Sequence, residues 1–257
     1  HDPMPMDASA NSDPDSACLD VKCPDSWKAT KVDLIPWTSV LKVPLVGYPV
    51  WKRLDPQSEV FSSSSLESRG VPPESDLVPG SYGGGYKVWE CSLDLIEFAL
   101  GDERIVSRYK NKGSRILELG CGHGLPGIAA FAGLGGESLL LTDLNLGVLE
   151  DVTWPNVLLN CTPAQQQRIR CLSGDWMELM SKLERENAET FDLILSAETL
   201  YTENNCVKML QLLMKYLKRG GGVAILATKR YYFGVGGGTG ELHRVAQAHF
   251  HGLFDIT

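Results

Sequence analysis

R-I-L-E-L-G-C-G-H-G-L-P-G-I-A-A, residues Arg115 to Ala130, sets the architecture of the chain. Ile116 and Leu117 open a short apolar run that reads as a buried strand. Gly120, Gly122 and Gly124 follow at alternate positions. From Leu125 the pattern turns helical, with Pro126 tolerated in a first turn. Strand, glycine loop and helix in this order open an α/β sheet, whose ligands bind beyond the carboxyl ends of the strands. Glycines there let a ligand approach the backbone with no Cβ in the way.

Two cofactors compete for such a loop. Gly122-x-Gly124-x-x-Gly127 fits the dinucleotide pattern G-x-G-x-x-G, a weak signal by itself. Glu118-x-Gly120-x-Gly122-x-Gly124 places an acidic residue in the strand ahead of alternate glycines. It resembles the first motif of class I S-adenosylmethionine-dependent methyltransferases. An acid suits a ligand with an amino group and a sulfonium cation better than one with a pyrophosphate.

Working outward, Ser138–Thr142 is a second strand ending at Asp143-Leu144-Asn145. Asp143 follows Glu118 by 25 residues, close to the spacing of roughly 20 at which an acid meets ribose hydroxyls in Rossmann-type sites. A bare helix cap is the competing reading. Leu146–Leu159 is helical, broken or kinked at Pro155. Ile169–Leu172 is a third strand leading to Gly174-Asp175-Trp176, where Asp175 could accept from an adenine amino group and Trp176 could flank the ring. Phe191–Leu195 is a fourth strand running into Ser196-Ala197-Glu198-Thr199-Leu200-Tyr201. A helix follows over Cys206–Leu217 and a fifth strand over Val223–Ala227. Then Tyr231, Tyr232 and Phe233 precede a glycine-rich run through Gly238, expected as a wall and lid over an acceptor side chain. A last helix is expected over Glu241–Phe250.

Upstream of the loop, Leu93–Leu100 has the spacing of an amphipathic helix, capped by Ser92. Trp89 and Glu90 stand just before it; Glu90 could hold a ligand amine and Trp89 could stack near a sulfonium. The opening 75 residues are expected to form an arm. His1–Asp20 reads as disordered, with His1–Met6 a cloning remnant or cut start. The apolar segment 27–54, with Trp37, Tyr48 and Trp51, reads as packed on the main domain or as a substrate-recognition element. Ser62–Ser65 reads as a linker.

The 257 residues allow one large domain or a domain with an arm. A net charge of −8 argues against a nucleic-acid groove and permits a basic protein partner. The seven cysteines include no C-x-x-C pair, so neither a disulfide framework nor a zinc pattern emerges, and a reducing, intracellular setting is expected. No apolar run has the length of a membrane span.

Four pieces together resemble one family: D-L-V-P-G-S-Y-G-G-G-Y-K-V-W-E-C-S from Asp76, the loop from Glu118, S-A-E-T-L-Y from Ser196 and Y-F-G-V-G-G-G from Tyr232. They are similar to the protein-histidine N-methyltransferases of the METTL-eighteen type, across about Asp76 to Phe250. The resemblance implies a Rossmann-like class I methyltransferase fold over residues 76–257: a central, mostly parallel twisted sheet flanked by helices. It implies S-adenosyl-L-methionine held against Trp89, Glu90, Cys91, Ser92, Gly120, Asp143, Leu144, Asn145, Gly174, Asp175, Trp176 and Ser196, and transfer to a histidine of large-subunit ribosomal protein three. A monomer without direct nucleic-acid binding, in cytoplasm and nucleus, is expected. Glu198, Tyr201 and Tyr232 are the expected acceptor-side residues. Only Leu253–Thr257 remains for the hairpin that closes the family fold, which is expected to be absent or abbreviated. A lysine methyltransferase of the same fold is the nearest rival, since Glu198-x-x-Tyr201 is similar to that group's acidic-x-x-aromatic signature. A dinucleotide oxidoreductase and a non-catalytic assembly factor are the others.

Overall fold

A computed structural model of the chain describes residues 83–256 and three short strands before them, β1 (Leu19–Val21), β2 (Leu34–Pro36) and β3 (Lys52–Leu54). The expected linker Ser62–Ser65, the residues Trp37, Tyr48 and Trp51, and Asp76–Tyr82 lie outside the described residues.

Five parallel strands form the centre: β4 (Arg115–Leu119), β5 (Ser138–Asp143), β6 (Ile169–Ser173), β7 (Leu193–Ala197) and β8 (Val223–Ala227). Their order is β6-β5-β4-β7-β8, and β1 joins antiparallel at the outer edge of β6. Strand order therefore reverses between β4 and β7, so a crevice opens at their carboxyl ends. Membership of Leu19 and Asp20 in β1 corrects their expected disorder; the unpaired backbone groups of the β6 edge supply partners for them. Within the segment 27–54, β2 and β3 pair antiparallel, and β3 lies against the helix that contains Pro155.

Helices cover both faces, which explains the near-continuous apolar strands. Ile116, Leu139, Leu141, Leu193 and Leu195 look to one face, where they meet α1 (Glu90–Gly101), α2 (Glu103–Tyr109) and α3 (Leu125–Leu134). Leu117, Leu119, Leu140, Leu172 and Ile194 look to the other.

After β5 comes α4 (Leu146–Val148), a π turn over Leu149–Thr153, and α5 (Trp154–Asn160) with Pro155 in its first turn. The proline thus neither ends nor simply kinks the helix. The wider turn just ahead of it accommodates the missing N–H. A short α6 (Pro163–Gln166) leads into β6.

On the second face lie α7 (Trp176–Arg185), α8 (Glu203–Tyr216) and α9 (Gly238–His249). Neither α2 nor α7 is among the helices expected above. The sequence signal for α7 is a capping box: Asp175 accepts from Met177 N–H, and Glu178 reaches back to the Asp175 N–H. Helix α1 begins at Glu90 with Trp89 as its cap residue, so Ser92 is inside the first turn and does not cap it. Helix α9 begins three residues before the expected start. Gly237 and Gly238, both with φ of 84°, seat against the backbone of Leu200–Thr202 and Lys229–Arg230, where any Cβ would collide. That end of the glycine run is therefore a packed joint and not a lid.

Candidate active site

The cleft at the strand ends has a volume of about 850 Å³, within the size range of small-molecule sites. Its floor is the glycine loop. Gly120 and Gly122 have φ of 62° and 50°, which favours glycine. A Cβ on Gly120 would stand 2.5 Å from Thr199 Cγ2, and one on Gly122 would stand 3.1 Å from the Gly85 carbonyl oxygen. The π turn brings Thr153 under this loop, where its hydroxyl donates to the Gly122 carbonyl. Asn156 Nδ2 donates to the His123 carbonyl at 2.9 Å. These two side chains hold the loop from the helix behind it.

Asp143 ends β5 at the cleft wall and is buried. Its Oδ2 accepts from Gly122 N–H at 2.9 Å and its Oδ1 from Asn145 N–H at 3.0 Å. Each carboxylate oxygen keeps a lone pair for a ligand hydroxyl. Burial pushes its pKa up, opposed by the backbone donors of Asn145, Gly122 and Leu144. The helix-cap reading does not describe Asp143, because its bonds tie two loops together.

Leu144, Gly174, Asp175 and Trp176 line the same end of the cleft. Asp175 Oδ2 also accepts from Lys208 Nζ at 2.5 Å. Thr199, Asn205 and Lys208 line the cleft too, although the sequence reading does not single them out. The Thr202 side chain caps α8 by accepting from Asn205 N–H, a recognisable T-x-x-N signal for that helix start.

The roof is the loop before α1. Gly83 N–H donates to Asn145 Oδ1 at 3.1 Å and Tyr86 OH to Asp151 Oδ2 at 2.7 Å. Trp89 and Ser92 line the cleft. The Trp89 ring already faces two ammonium groups of the chain, Lys87 at 4.5 Å and Lys229 at 5.9 Å from its centroid.

Glu198 closes the other end of the cleft, immediately after β7. It is a non-glycine residue at φ 55°, which turns its side chain out of the sheet. Its side chain is only 7% exposed. Oε1 accepts from the Cys91 thiol at 2.7 Å, Oε2 accepts from Tyr232 OH at 2.6 Å, and Lys229 Nζ stands 3.9 Å from Oε2. Glu198 is thus held by side chains from two other segments and is not a surface carboxylate. Burial, reinforced by the bond to Glu198, pushes the Cys91 thiol up to about 12. The same two causes push Tyr232 upward, so both groups remain protonated donors. Tyr201 lines the cleft and meets Tyr232 edge to face, with ring centroids 6.5 Å apart.

Seven of the expected site residues are not among those lining the cleft. Glu118 is buried beneath the loop, where its Oε2 accepts from Gly127 N–H at 2.7 Å. Ser196 is buried and donates to the Leu119 carbonyl. Gly124 caps α3, and Asn145 secures the roof. Glu90 is exposed at the start of α1. Cys91 and Tyr232 bond to Glu198. Of the aromatic run, only Tyr232 turns inward; Tyr231 is 60% and Phe233 97% exposed.

A family model described as lysine methyltransferase matches residues 79–237, more than half of the chain. The chain is 41% identical over 165 residues to a histidine protein methyltransferase 1 homolog of Dictyostelium discoideum, covering 64% of this chain and 49% of that protein. It is 34% identical over 204 residues to the Bos taurus homolog, covering 70% and 53%. A protein N-lysine methyltransferase of Danio rerio, METTL21A, is 31% identical over 145 residues, covering 56% and 61%. The chain spans about half the length of the histidine-methyltransferase relatives named here.

Proposed function

The chain belongs to the lysine methyltransferase family matched over residues 79–237, and from that premise we propose that it methylates a ring nitrogen of a histidine in a protein, using S-adenosyl-L-methionine. When bound, S-adenosyl-L-methionine supplies an activated methyl group and leaves as S-adenosylhomocysteine. The cleft's features fit it. Gly120 and Gly122 line the cleft with backbone alone. Asp143 offers acceptors for ribose hydroxyls, and Leu144, Asp175 and Trp176 surround the space for an adenine ring.

The chain's own work is positioning, because little covalent assistance is required. A free histidine has a pKa near ~6.5 and is mostly neutral at pH 7. A lysine, near ~10.4, needs to lose its proton first, at a cost of roughly 4–5 kcal/mol at pH 7. No strong base is therefore called for. Glu198 accepts a hydrogen bond from one ring N–H, presents the opposite nitrogen to the methyl group, and receives the displaced proton for release to solvent. The fixed Glu198 carboxylate at the end of the cleft is the observation that carries this reading. Lys229 favours a neutral acceptor over a lysine, since its ammonium stands 3.9 Å from that carboxylate and repels a second cation.

The substrate in this reading is a basic large-subunit ribosomal protein, ribosomal protein three, which suits a chain of net charge −8 and places the reaction in cytoplasm or nucleus. Recombinant ribosomal protein three, incubated with labelled donor and mapped by mass spectrometry, should carry methylhistidine that disappears with Asp143→Ala. Methyllysine would move the chain to the lysine-modifying side of its family. No label despite measurable donor binding would overturn the substrate assignment.

A further inference from the structure

We infer that Cys91 is a positioning residue for the reaction: its thiol, donating to Glu198 Oε1, sets the orientation in which that carboxylate meets the acceptor ring. This rests on the function proposed above and replaces the cofactor contact expected for Cys91.

The geometry is specific. Glu198 Oε2 is held by Tyr232 OH at 2.6 Å, and Tyr232 OH in turn lies 2.9 Å from Thr228 Oγ1, so that side is anchored on the segment after β8. With one oxygen held, the carboxylate plane is still free to rotate about that contact. The bond from Cys91 at 2.7 Å to the second oxygen removes this freedom. It comes from the first turn of α1, the same turn whose Trp89 and Ser92 line the cleft. One side-chain bond therefore ties the roof of the donor site to the carboxylate of the acceptor site. Glu198 also has the left-handed backbone at φ 55° and lies just past the end of β7, outside any helix or strand. Burial and the adjacent carboxylate keep the thiol protonated, as a donor must be. A thiolate at this distance would instead repel Glu198.

Serine keeps the donor and alanine deletes it. Cys91→Ala should lower kcat by roughly 10-fold, the scale expected when a catalytic group is slightly misplaced. The affinity for S-adenosylhomocysteine, measured by calorimetry, should stay within about 2-fold, because the thiol is not among the groups lining the cleft. Cys91→Ser should recover most of the rate. A second readout needs no methyl transfer: alkylation of Cys91 by iodoacetamide, followed by mass spectrometry at pH 8. Glu198→Gln keeps the side-chain volume and removes the charge that, after burial, holds the proton on sulfur, so Cys91 should react roughly 10-fold faster than in the wild type. Equal loss of rate in the serine and alanine variants, or alkylation unchanged by Glu198→Gln, would overturn the inference. Absence of methylhistidine from the wild-type reaction would instead strike the proposed function, and the alkylation result would still decide whether thiol and carboxylate are bonded.

Discussion

Replacing Glu118 by glutamine tests how the glycine loop is supported. Glu118 sits beneath the loop with 1% exposure, and its Oε2 accepts from Gly127 N–H at 2.7 Å. Burial pushes its pKa from the ordinary 4.5 up to about 8; the Gly127 donor opposes the rise and Asp143 adds to it. Between those two pH values the folded protein holds a proton there that the unfolded chain has released. A raised carboxyl pKa makes this stability contribution complete below pH 4.5 and lost as pH rises through about 8. At about 1.4 kcal/mol per pH unit, the loss across the window is on the order of 5 kcal/mol. Glutamine has the same shape, carries no charge, and can still accept from Gly127. Urea unfolding of both proteins from pH 4 to pH 9 should therefore give similar stabilities at the acid end. At the alkaline end the Glu118→Gln protein should be more stable by several kcal/mol. Titrating groups that do not interact with Glu118 act on both proteins and cancel in the difference. A variant no more stable than wild type at pH 9 would refute the buried, protonated carboxyl.

Gly120→Ala places a Cβ 2.5 Å from Thr199 Cγ2 on a backbone at φ 62°. It should weaken S-adenosylhomocysteine binding by about 10-fold or more in calorimetry; unchanged affinity would mean that the loop is not the donor floor. Asp143→Ala removes the acceptor for Gly122 and Asn145 N–H together with the one offered to ribose hydroxyls, and should reduce the same affinity by roughly 10- to 100-fold, the loss of one charge-assisted ligand bond at about 1.5–3 kcal/mol. Phe131, at 1% exposure in the α3 face of the core, should cost about 3–5 kcal/mol on truncation to alanine, read from urea midpoints. Phe233→Ser, at a side chain 97% exposed, should leave stability within about 0.5 kcal/mol, and a larger change in the same titration would show that this loop packs on something.

Much of the fold is legible in the chain because it is locally encoded. Ile116 and Leu117, Leu139 and Leu140, and Leu193 and Ile194 are adjacent apolar residues that bury opposite faces of one sheet. Strands of a parallel sheet covered on both faces carry such double runs. The loss of Cβ atoms at Gly120 and Gly122, and the acid at the end of β5, are equally local signals. Helix α7 goes unread because its evidence is a cap, Asp175 with Glu178, on a residue already assigned to the ligand. The start of α9 goes unread because Gly238 resembles loop until the backbone it packs against is in place.

The sequence by itself thus determined the five central strands, the glycine loop between the first of them and its helix, and the end of the sheet at which a ligand would sit. Only the tertiary structure decided which acids face that cleft. Glu118, Glu90, Asp143 and Glu198 all belong to plausible motifs, yet one is buried under the loop, one is exposed on α1, and two face the cleft. Strand periodicity says which face a side chain takes. It does not say what arrives on that face from elsewhere in the chain. The partner that completes the Glu198 carboxylate is Cys91, 107 residues away, and a contact over that distance exists only once the sheet has brought α1 across the end of β7.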